Sequence, residues 1–153
     1  MTTAERIVAE ASAWLGTPYR HQGSRKGVGC DCLGLVRGVW RNLYGEEAEA
    51  PGPYAADWAE TGEGDPLMQA ARRHCHEKAG LQAAAGDLLL FRIRPRLPAR
   101  HCGIALSPDR FLHAYQGHAV VSSPLDPHWR RRLCGVFRFP VLNCGKKTWE
   151  QAA

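Results

Sequence analysis

Cys32 is the residue of this chain whose type and position best fit a chemical role. It lies in residues 29–36 (Gly-Cys-Asp-Cys-Leu-Gly-Leu-Val), directly after Asp31, a residue type that caps helices, and directly before an apolar run with helical spacing. A helix dipole lowers the pKa of a thiol at the helix N-terminus, and the thiolate is the attacking form of cysteine. The sequence therefore predicts a nucleophilic cysteine. The alternative interpretation is a small buried residue, as free cysteines usually are.

His101 is the candidate general base for that thiol. It begins a predicted strand over residues 101–106. Side chains alternate across a strand, so His101 shares a face with Gly103 and Ala105, while Cys102 belongs to the opposite, apolar face. Because the small residues beside His101 leave room for another element, we expect the helix that carries the nucleophile to pack there. Cys102 is expected in the core rather than in a metal site.

His113 is the candidate residue for orienting His101. It lies in the next predicted strand, residues 111–115, which a turn near Pro108 would fold back beside the first. A histidine base needs its second ring nitrogen held by a partner, because otherwise its tautomer and ring angle are not fixed. A histidine on the neighbouring strand can supply that partner. The remaining histidines are interpreted as ordinary core or surface residues: His21, His74, His76, His118 and His128.

Six cysteines leave disulfides, a metal cluster and free thiols to be considered. The N-terminal residues lack the basic and apolar segments of a secretory signal, so we expect synthesis in the cytoplasm, where thiols stay reduced. Only Cys30 and Cys32 lie close together, and Cys-x-Cys is not a common zinc spacing. We expect mostly free thiols, with no metal and no cofactor. A metal-binding module built from Cys30, Cys32 and His21 remains an alternative.

Composition is that of a globular protein of one domain, and it limits the partners. The chain has 153 residues, of which 44% are hydrophobic and 23% charged, with a formal net charge of +5. No apolar run approaches the roughly 20 residues that span a bilayer, so no transmembrane segment is expected. Positive charge concentrates in residues 92–100 and 130–132, which fits either a solvated face or attraction to an anionic partner such as a cell-wall polymer. No nucleic-acid partner is expected, because aromatic residues are not interleaved with these arginines.

The first half of the chain predicts helices. Thr2 and Glu5 form a capping box for a helix that Gly16 ends. Its predicted apolar face consists of Ile7, Val8, Ala11, Trp14 and Leu15. A second helix is predicted from Cys32 to about Leu43. Two glycines on it, Gly34 and Gly38, cost helix propensity, and we expect them to allow another part of the chain to approach closely.

A third helix is predicted to begin at Asp65-Pro66 and to end near Gly80. Residues 45–64, before it, are predicted to form a surface excursion. After Gly86-Asp87 the pattern changes to short strands separated by turn signals. The predicted strands are residues 88–93, 101–106, 111–115, 119–122 and 135–139.

Helices first and an antiparallel meander second predict an α+β fold, with N-terminal helices packed on a five- to six-stranded antiparallel sheet. One domain is expected over residues 1–142. Residues 143–153 are expected to form a C-terminal tail, in which Trp149 is a candidate docking element.

Four motifs in order resemble those of the NlpC-type cell-wall peptidases, which are papain-like cysteine peptidases. The family pattern is Gly-x-Pro-Tyr, then Asp-Cys-Ser-Gly-Leu-Val, then His-Val-Gly-Ile, then a His-Ala pair. The matching residues are Gly16-Thr17-Pro18-Tyr19, Asp31-Cys32-Leu33-Gly34-Leu35-Val36, His101-Cys102-Gly103-Ile104 and His113-Ala114. Gly86-Asp87-Leu88 also resembles the start of the family's first strand. The resemblance covers roughly residues 5–140.

The resemblance implies roles for individual residues. Cys32 would be the nucleophile, His101 the base and His113 the polar third member of the triad. The Tyr19 hydroxyl would lie near the oxyanion site, together with the Cys32 backbone N–H, and no cofactor is implied. Leu33 stands where the family has serine, and residues 22–23 replace a Gly-Gly pair, which bears on substrate preference more than on chemistry. The long insertion at residues 45–80 is a candidate wall of the cleft.

The resemblance also implies an activity and a setting. The family cuts stem peptides of peptidoglycan, commonly between D-γ-glutamate and a diamino acid, and this chain is most similar to phage-encoded members. The expected partners are peptidoglycan and proteins of a phage tail or baseplate, and the expected place of action is the cell wall, as part of a virion or tail-like particle. The alternatives are an amidase or acyltransferase on the same core, or a structural tail component with a vestigial site.

Overall fold

The computed structural model describes residues 1–49, 64–114, 116–143 and 146–148. Four helices lie within these residues: α1 (Thr3–Ser12), α2 (Cys32–Tyr44), α3 (Pro66–His74) and α4 (Pro127–Arg130). The strands are β1 (Ser24–Arg25), β2 (Gly29–Cys30), β3 (His76–Glu77), β4 (Leu88–Phe91), β5 (His101–Ser107), β6 (Arg110–His113), β7 (Val121–Pro124), β8 (Leu133–Arg138), β9 (Val141–Asn143) and β10 (Lys146–Thr148).

A six-stranded antiparallel sheet forms the centre of the protein, in the order β3-β8-β4-β5-β6-β7. The pairs β1–β2 and β9–β10 form separate two-stranded ribbons. The predicted α+β fold is confirmed. Each of the five predicted strands is present, with ends shifted by up to two residues, and β3 adds a short edge strand.

Helix α1 begins where the capping box predicts, because the Thr2 hydroxyl accepts a hydrogen bond from the Glu5 backbone N–H at 3.1 Å. Trp14 is fully buried, as its place on the apolar face requires. Leu15 is exposed, so its assignment to that face is wrong. The reason is local: the helix ends at Ser12, and the following turn through Gly16, which has a left-handed φ of 83°, directs Leu15 away from the core.

The two glycines of α2 make the close approaches that the sequence predicts. A Cβ on Gly38 would collide with the buried Trp14 ring of α1. A Cβ on Gly34 would collide with the carbonyl oxygen of Gly23, in the loop before α2. The contact at Gly34 fixes the start of α2 against that loop, and the contact at Gly38 fixes the middle of the helix against α1.

The end predicted for the third helix is wrong. Helix α3 starts after Asp65, whose side chain accepts a hydrogen bond from the Met68 backbone N–H, but it ends at His74 rather than near Gly80. The chain becomes extended at Cys75, and β3 pairs with the edge strand β8. Sheet pairing with a distant strand replaces the last helical turns. The surface excursion predicted before α3 lies largely in residues 50–63, outside the described part of the chain.

The face of β5 on which α2 packs differs from the expectation. Cys102 and Ile104 join the core beneath α1 and α2, whereas Ala105 joins a second cluster on the opposite face of the sheet. The space beside Gly103 is not open to a helix, because the Leu112 carbonyl and the Phe111 ring of β6 fill it. Helix α2 therefore reaches His101 over the end of β5 rather than across its small-residue face.

The predicted tail starts at the last residue of β9, and β10 lies within it and pairs back onto β9, while Trp149 lies outside the described residues. None of the helices in the described part of the chain combines the length and the apolar character that a membrane crossing requires.

Candidate active site

Cys32 is the first residue of α2, as the sequence predicts. The Asp31 carboxylate caps the helix by accepting a hydrogen bond from the Gly34 backbone N–H at 2.7 Å. The N–H groups of the first helical turn have no partners within the helix, so the Cys32 N–H is available to an incoming oxygen. The start of α2 thus brings together a thiol, the positive end of the helix dipole and a backbone donor that has no partner within the helix.

The surroundings of Cys32 favour its thiolate. Its hydrogen bond with the Cys102 thiol, followed by the charge and the hydrogen bond of His101, lowers the pKa of Cys32 well below its ordinary value, although burial opposes this shift. The Cys32 Sγ also lies 4.0 Å from the Arg100 carbonyl oxygen, just before β5. Cys102 is fully buried, and the sequence analysis placed it in the core without foreseeing its contact with Cys32.

His101 and His113 are joined as the adjacent strands predict. The His101 Nε2 lies 2.8 Å from the His113 Nδ1, and both side chains are buried. Burial, followed by the charges of His101 and His118, lowers the pKa of His113 to about 3. His113 is therefore neutral near pH 7. The Cys32 thiol hydrogen-bonds to the His101 ring, and because Nε2 is used by His113, Nδ1 is the ring nitrogen left for the thiol.

Ser123 is a member of the site that the sequence analysis missed. The His113 Nε2 lies 2.8 Å from the Ser123 Oγ. When the serine accepts the proton-bearing Nε2–H, the His113 Nδ1 becomes an acceptor for the Nε2–H of His101. The signal for this contact is pairing register: His113 lies opposite Val121, and Ser123 is the diagonal neighbour two residues further along β7.

Trp129 was also missed. Its ring stacks on His101 with a centroid separation of 5.4 Å and an interplanar angle of 29°. It also lies edge-on to His113 at 5.1 Å and 84°. No local pattern indicates this contact, because α4 is a single turn and its approach to the histidines depends on the path of the chain between β7 and β8.

Tyr19 lies beside the nucleophile. It bridges to Cys30 in the loop that precedes α2. Burial, followed by the negative charges of Asp31 and Cys32, raises the pKa of Tyr19, so its hydroxyl stays protonated and can donate a hydrogen bond. The Asp31 carboxylate also holds this loop, because its Oδ2 accepts a hydrogen bond from the Gln22 backbone N–H at 2.8 Å. Asp31 thus connects the turn after Tyr19 to the first turn of α2.

Nothing in the described residues assembles the alternative metal site. No three histidine, cysteine or acidic side chains in the described ranges converge as ligands would. Cys30 is fully buried, and burial raises the pKa of its thiol to about 12, which disfavours a metal-binding thiolate. His21 lies 3.9 Å from the Asp31 carboxylate.

Leu33 lines a cavity of about 250 Å³ between α2, α3 and the sheet. The cavity is mostly apolar, with Trp40, Leu67 and Phe139 in its wall, and Cys102 reaches it from the side of the nucleophile. Part of the insertion, helix α3, therefore walls a space next to Cys32, where Leu33 replaces a serine of the resembled pattern.

Together these side chains can perform covalent catalysis. A thiol with a lowered pKa lies beside an imidazole, and a second, neutral imidazole holds that ring from behind. This is the arrangement of a nucleophile, a base and an orienting group. The Tyr19 hydroxyl and the Cys32 N–H are donors suited to a negative charge that develops on a substrate oxygen.

Comparison with known proteins gives a consistent result. The model of the NlpC/P60 family matches residues 16–138. A gamma-DL-glutamyl hydrolase of Bacillus subtilis is 28% identical over 142 residues, which are 92% of this chain and 30% of that protein. The murein DD-endopeptidase MepS/murein LD-carboxypeptidase of Escherichia coli K12 is 30% identical over 128 residues, 83% of this chain and 58% of that protein. The chain thus spans between about a third and three fifths of these relatives.

Solved structures agree with the sequence comparison. The NlpC/p60 domain of the peptidoglycan hydrolase SagA superposes with a TM-score of 0.60 at 27% identity, covering 88% of this chain and 97% of that domain. An NLP/P60-family lipoprotein-like protein of Staphylococcus aureus gives a TM-score of 0.59 at 25% identity, covering 90% of this chain and 41% of that protein.

Proposed function

The chain belongs to the NlpC/P60 family, and on that basis we propose that it is a cysteine peptidase that hydrolyses amide bonds in the stem peptides of peptidoglycan. The observation that carries the proposal is the contact of Cys32, at the N-terminus of α2, with His101, whose other nitrogen is held by His113 at 2.8 Å. Relatives named as murein endopeptidase and gamma-DL-glutamyl hydrolase support the substrate class.

The proposed reaction begins with attack of the Cys32 thiolate on the amide carbon. Negative charge moves to the carbonyl oxygen, where the Cys32 N–H and the Tyr19 hydroxyl donate hydrogen bonds to it. His101 then gives its proton to the departing amine, the C–N bond breaks, and an acyl-thioester forms on Cys32.

The second half of the reaction releases the product. Neutral His101 takes a proton from water, the resulting hydroxide attacks the thioester carbonyl, and the Cys32 thiolate leaves. Throughout both steps His113 keeps the His101 ring oriented, and Ser123 keeps the tautomer of His113 fixed. No metal takes part in any step.

The proposed bond is that between D-γ-glutamate and the diamino acid of the stem peptide. Support comes from the motif resemblance and from the relative named as a gamma-DL-glutamyl hydrolase. The name of the Escherichia coli relative refers to the cleavage of other bonds. Identifying the reaction products of this protein will therefore show which bond it cuts.

The test is mass spectrometry of muropeptides after purified peptidoglycan is digested. Wild-type protein is expected to release fragments with a new D-γ-glutamyl carboxyl end, and Cys32→Ala is expected to lower product formation at least about 1,000-fold without loss of fold, because the covalent step is removed. Cys134→Ala, which removes a thiol of β8, two strands away from β5 in the sheet, is the matched control and should retain activity. Equal products from wild type and Cys32→Ala would contradict the peptidase assignment, and transfer of the acyl group to an added amine would identify an acyltransferase.

We also propose that the protein acts at the cell wall from the tail of a phage or phage-like particle, in contact with tail or baseplate proteins. The support is the similarity of its motifs to phage-encoded family members. Proteomics of particles purified from the producing strain is expected to find the chain in tail fractions. Its recovery only in cell-envelope fractions would contradict this setting.

A further inference from the structure

Trp129 contacts both histidines of the candidate site, although it lies far from them in the sequence. Its ring stacks on His101 and meets His113 edge-on. The same ring lies edge-on to Phe91 at 5.1 Å and to Phe111 at 5.4 Å, so it completes an aromatic cluster on this face of the sheet.

The backbone around Trp129 is held on both sides. Asp126 caps α4 by accepting a hydrogen bond from the Trp129 backbone N–H at 3.1 Å. Before the helix, the Leu125 N–H donates to the Asp109 carbonyl at 2.7 Å, and after it the Arg132 carbonyl accepts from the Arg92 N–H at 2.8 Å. The indole is therefore placed by the fold and does not depend on substrate for its position.

The hydrogen bond to His113 alone does not fix the plane of the His101 ring. A single bond at Nε2 still lets the imidazole turn about the line that joins the two nitrogens. A flat ring stacked at 29° opposes that rotation, because turning the imidazole would drive its edge into the indole face. The indole face also attracts a protonated imidazole, which favours the ion pair with a thiolate.

We propose that Trp129 is a positioning residue of this active site, which fixes the plane of the His101 imidazole so that its Nδ1 faces Cys32. The proposal builds on the proposed peptidase function, but it also makes a prediction about Cys32 reactivity that needs no substrate. Misplacing a catalytic group by about 1 Å can cost on the order of 100-fold in rate, which sets the expected scale.

The experiment compares three variants. Trp129→Leu keeps an apolar side chain but removes the flat ring, and Trp129→Phe restores a ring. Leu125→Ala is the matched control, because Leu125 belongs to the same buried cluster as the packing partners of Trp129 and its loss destabilises that cluster directly. Urea unfolding first establishes that the leucine variant and the control are folded under assay conditions.

Two readouts follow. For Trp129→Leu, kcat on a stem-peptide substrate is expected to fall about 10- to 100-fold with KM changed less than about 3-fold. The rate of Cys32 alkylation by iodoacetamide is expected to need a higher pH to reach its half-maximum. Trp129→Phe should recover most of both properties, and Leu125→Ala should leave both close to wild type.

The proposal is overturned if Trp129→Leu keeps the wild-type kcat and alkylation profile, or if Leu125→Ala changes both as much as Trp129→Leu does. Should wild-type protein cut no stem peptide, the alkylation profiles still decide the role of Trp129. A failure of the peptidase assignment is thereby distinguished from a failure of this inference. If Trp129→Leu does not fold, Trp129→Met, which fills more of the same space and also lacks a flat ring, replaces it in both readouts, with the same losses expected and an unchanged alkylation profile overturning the proposal.

Discussion

At the scale of single residues, the candidate site depends on the protonation states of one thiol and two imidazole rings that are largely shielded from solvent. The position of Cys32 at a helix start and of His101 and His113 on neighbouring strands could be predicted from the sequence, because spacing, strand pattern and cap are local properties. Cys102 and Ser123 could not be assigned their contacts, since these depend on rotamers and on pairing register. The face of β5 on which α2 packs was predicted wrongly for the same reason. The sequence indicated open space beside the small residues of β5, but residues of the neighbouring strand β6 fill that space.

Ser123→Ala is expected to lower kcat by about 10-fold, because the His113 Nε2 loses its partner and the tautomer of His113 is no longer fixed. Ser122→Ala is the matched control: this neighbouring hydroxyl accepts from the Arg110 side chain at 3.0 Å and takes no part in the histidine contact. Steady-state kinetics on a defined stem peptide measure both. Equal losses in the two variants would contradict a specific role for Ser123.

The low pKa of His113 makes a prediction for stability. The pKa falls from 6.5 in its ordinary state to about 3 in the folded protein. Below pH 6.5 the unfolded chain therefore binds a proton that the folded protein does not bind. The stabilising contribution is fully present above pH 6.5 and is lost as the pH falls towards 3, by up to about 1.4 kcal/mol per pH unit.

Urea unfolding at pH 7 and pH 4 tests this expectation. On going from pH 7 to pH 4, the free energy of unfolding is expected to decrease in wild type. In His113→Gln, which lacks the titrating group, this decrease is expected to be about 3 kcal/mol smaller. His76→Gln, at the exposed edge strand β3, should behave like wild type. Parallel pH dependence in wild type and His113→Gln would show that His113 is protonated at the same pH in both states.

At the scale of elements, the loop before α2 and the first turn of α2 form the platform of the site. The start of α2 was predictable, because an N-cap and an apolar period are properties of nearby residues. The end of α3 was not, because β3 is defined by pairing with β8, about sixty residues later in the chain. Non-local pairing of this kind leaves no periodic signal in a two-residue strand.

Gly34→Ala tests the platform. The added Cβ would collide with the Gly23 carbonyl oxygen, so the loop that follows Tyr19 must shift, and the free energy of unfolding is expected to fall by about 1–3 kcal/mol together with kcat. Gly45→Ala at the other end of α2 is the control, since a Cβ there meets no atom within 4 Å and only the left-handed φ of 86° costs stability. Its kcat should stay unchanged. Full activity and stability of Gly34→Ala would show that the close contact between Gly34 and the Gly23 carbonyl is not needed to position the loop against α2.

At the scale of the whole molecule, two basic segments that are separate in the sequence lie side by side. The Arg92 N–H donates to the Arg132 carbonyl at 2.8 Å, which brings residues 92–100 and 130–132 together, next to His101. The concentration of charge was visible in the sequence, but its convergence on the edge that carries the site was not, because β4 and β8 lie about forty residues apart.

This basic edge predicts that binding to anionic peptidoglycan weakens with salt. Raising the ionic strength from 0.05 to about 0.3 M is expected to weaken binding of Cys32→Ala protein to purified sacculi several-fold. Arg94→Gln with Arg131→Gln should reduce both the affinity and its salt dependence. The control carries the same loss of charge on α1 and α3, through Arg6→Gln with Arg72→Gln. Binding to sacculi is measured by sedimentation. Equal effects of the two pairs of substitutions would show that binding depends on the net charge of the protein rather than on the basic edge.

The bonds of Asp31 have a consequence for how such a site can change. One carboxylate accepts hydrogen bonds from the backbone N–H groups of Gly34 and Gln22, so the Cys32 sulfur and the turn after Tyr19 keep a fixed separation. The bond to Gln22 uses only its backbone, as a glycine there would, and the side chain of Leu33 points into the neighbouring cavity. For the proposed peptidase, substrate preference can therefore change at these two positions while the distances around Cys32 stay the same.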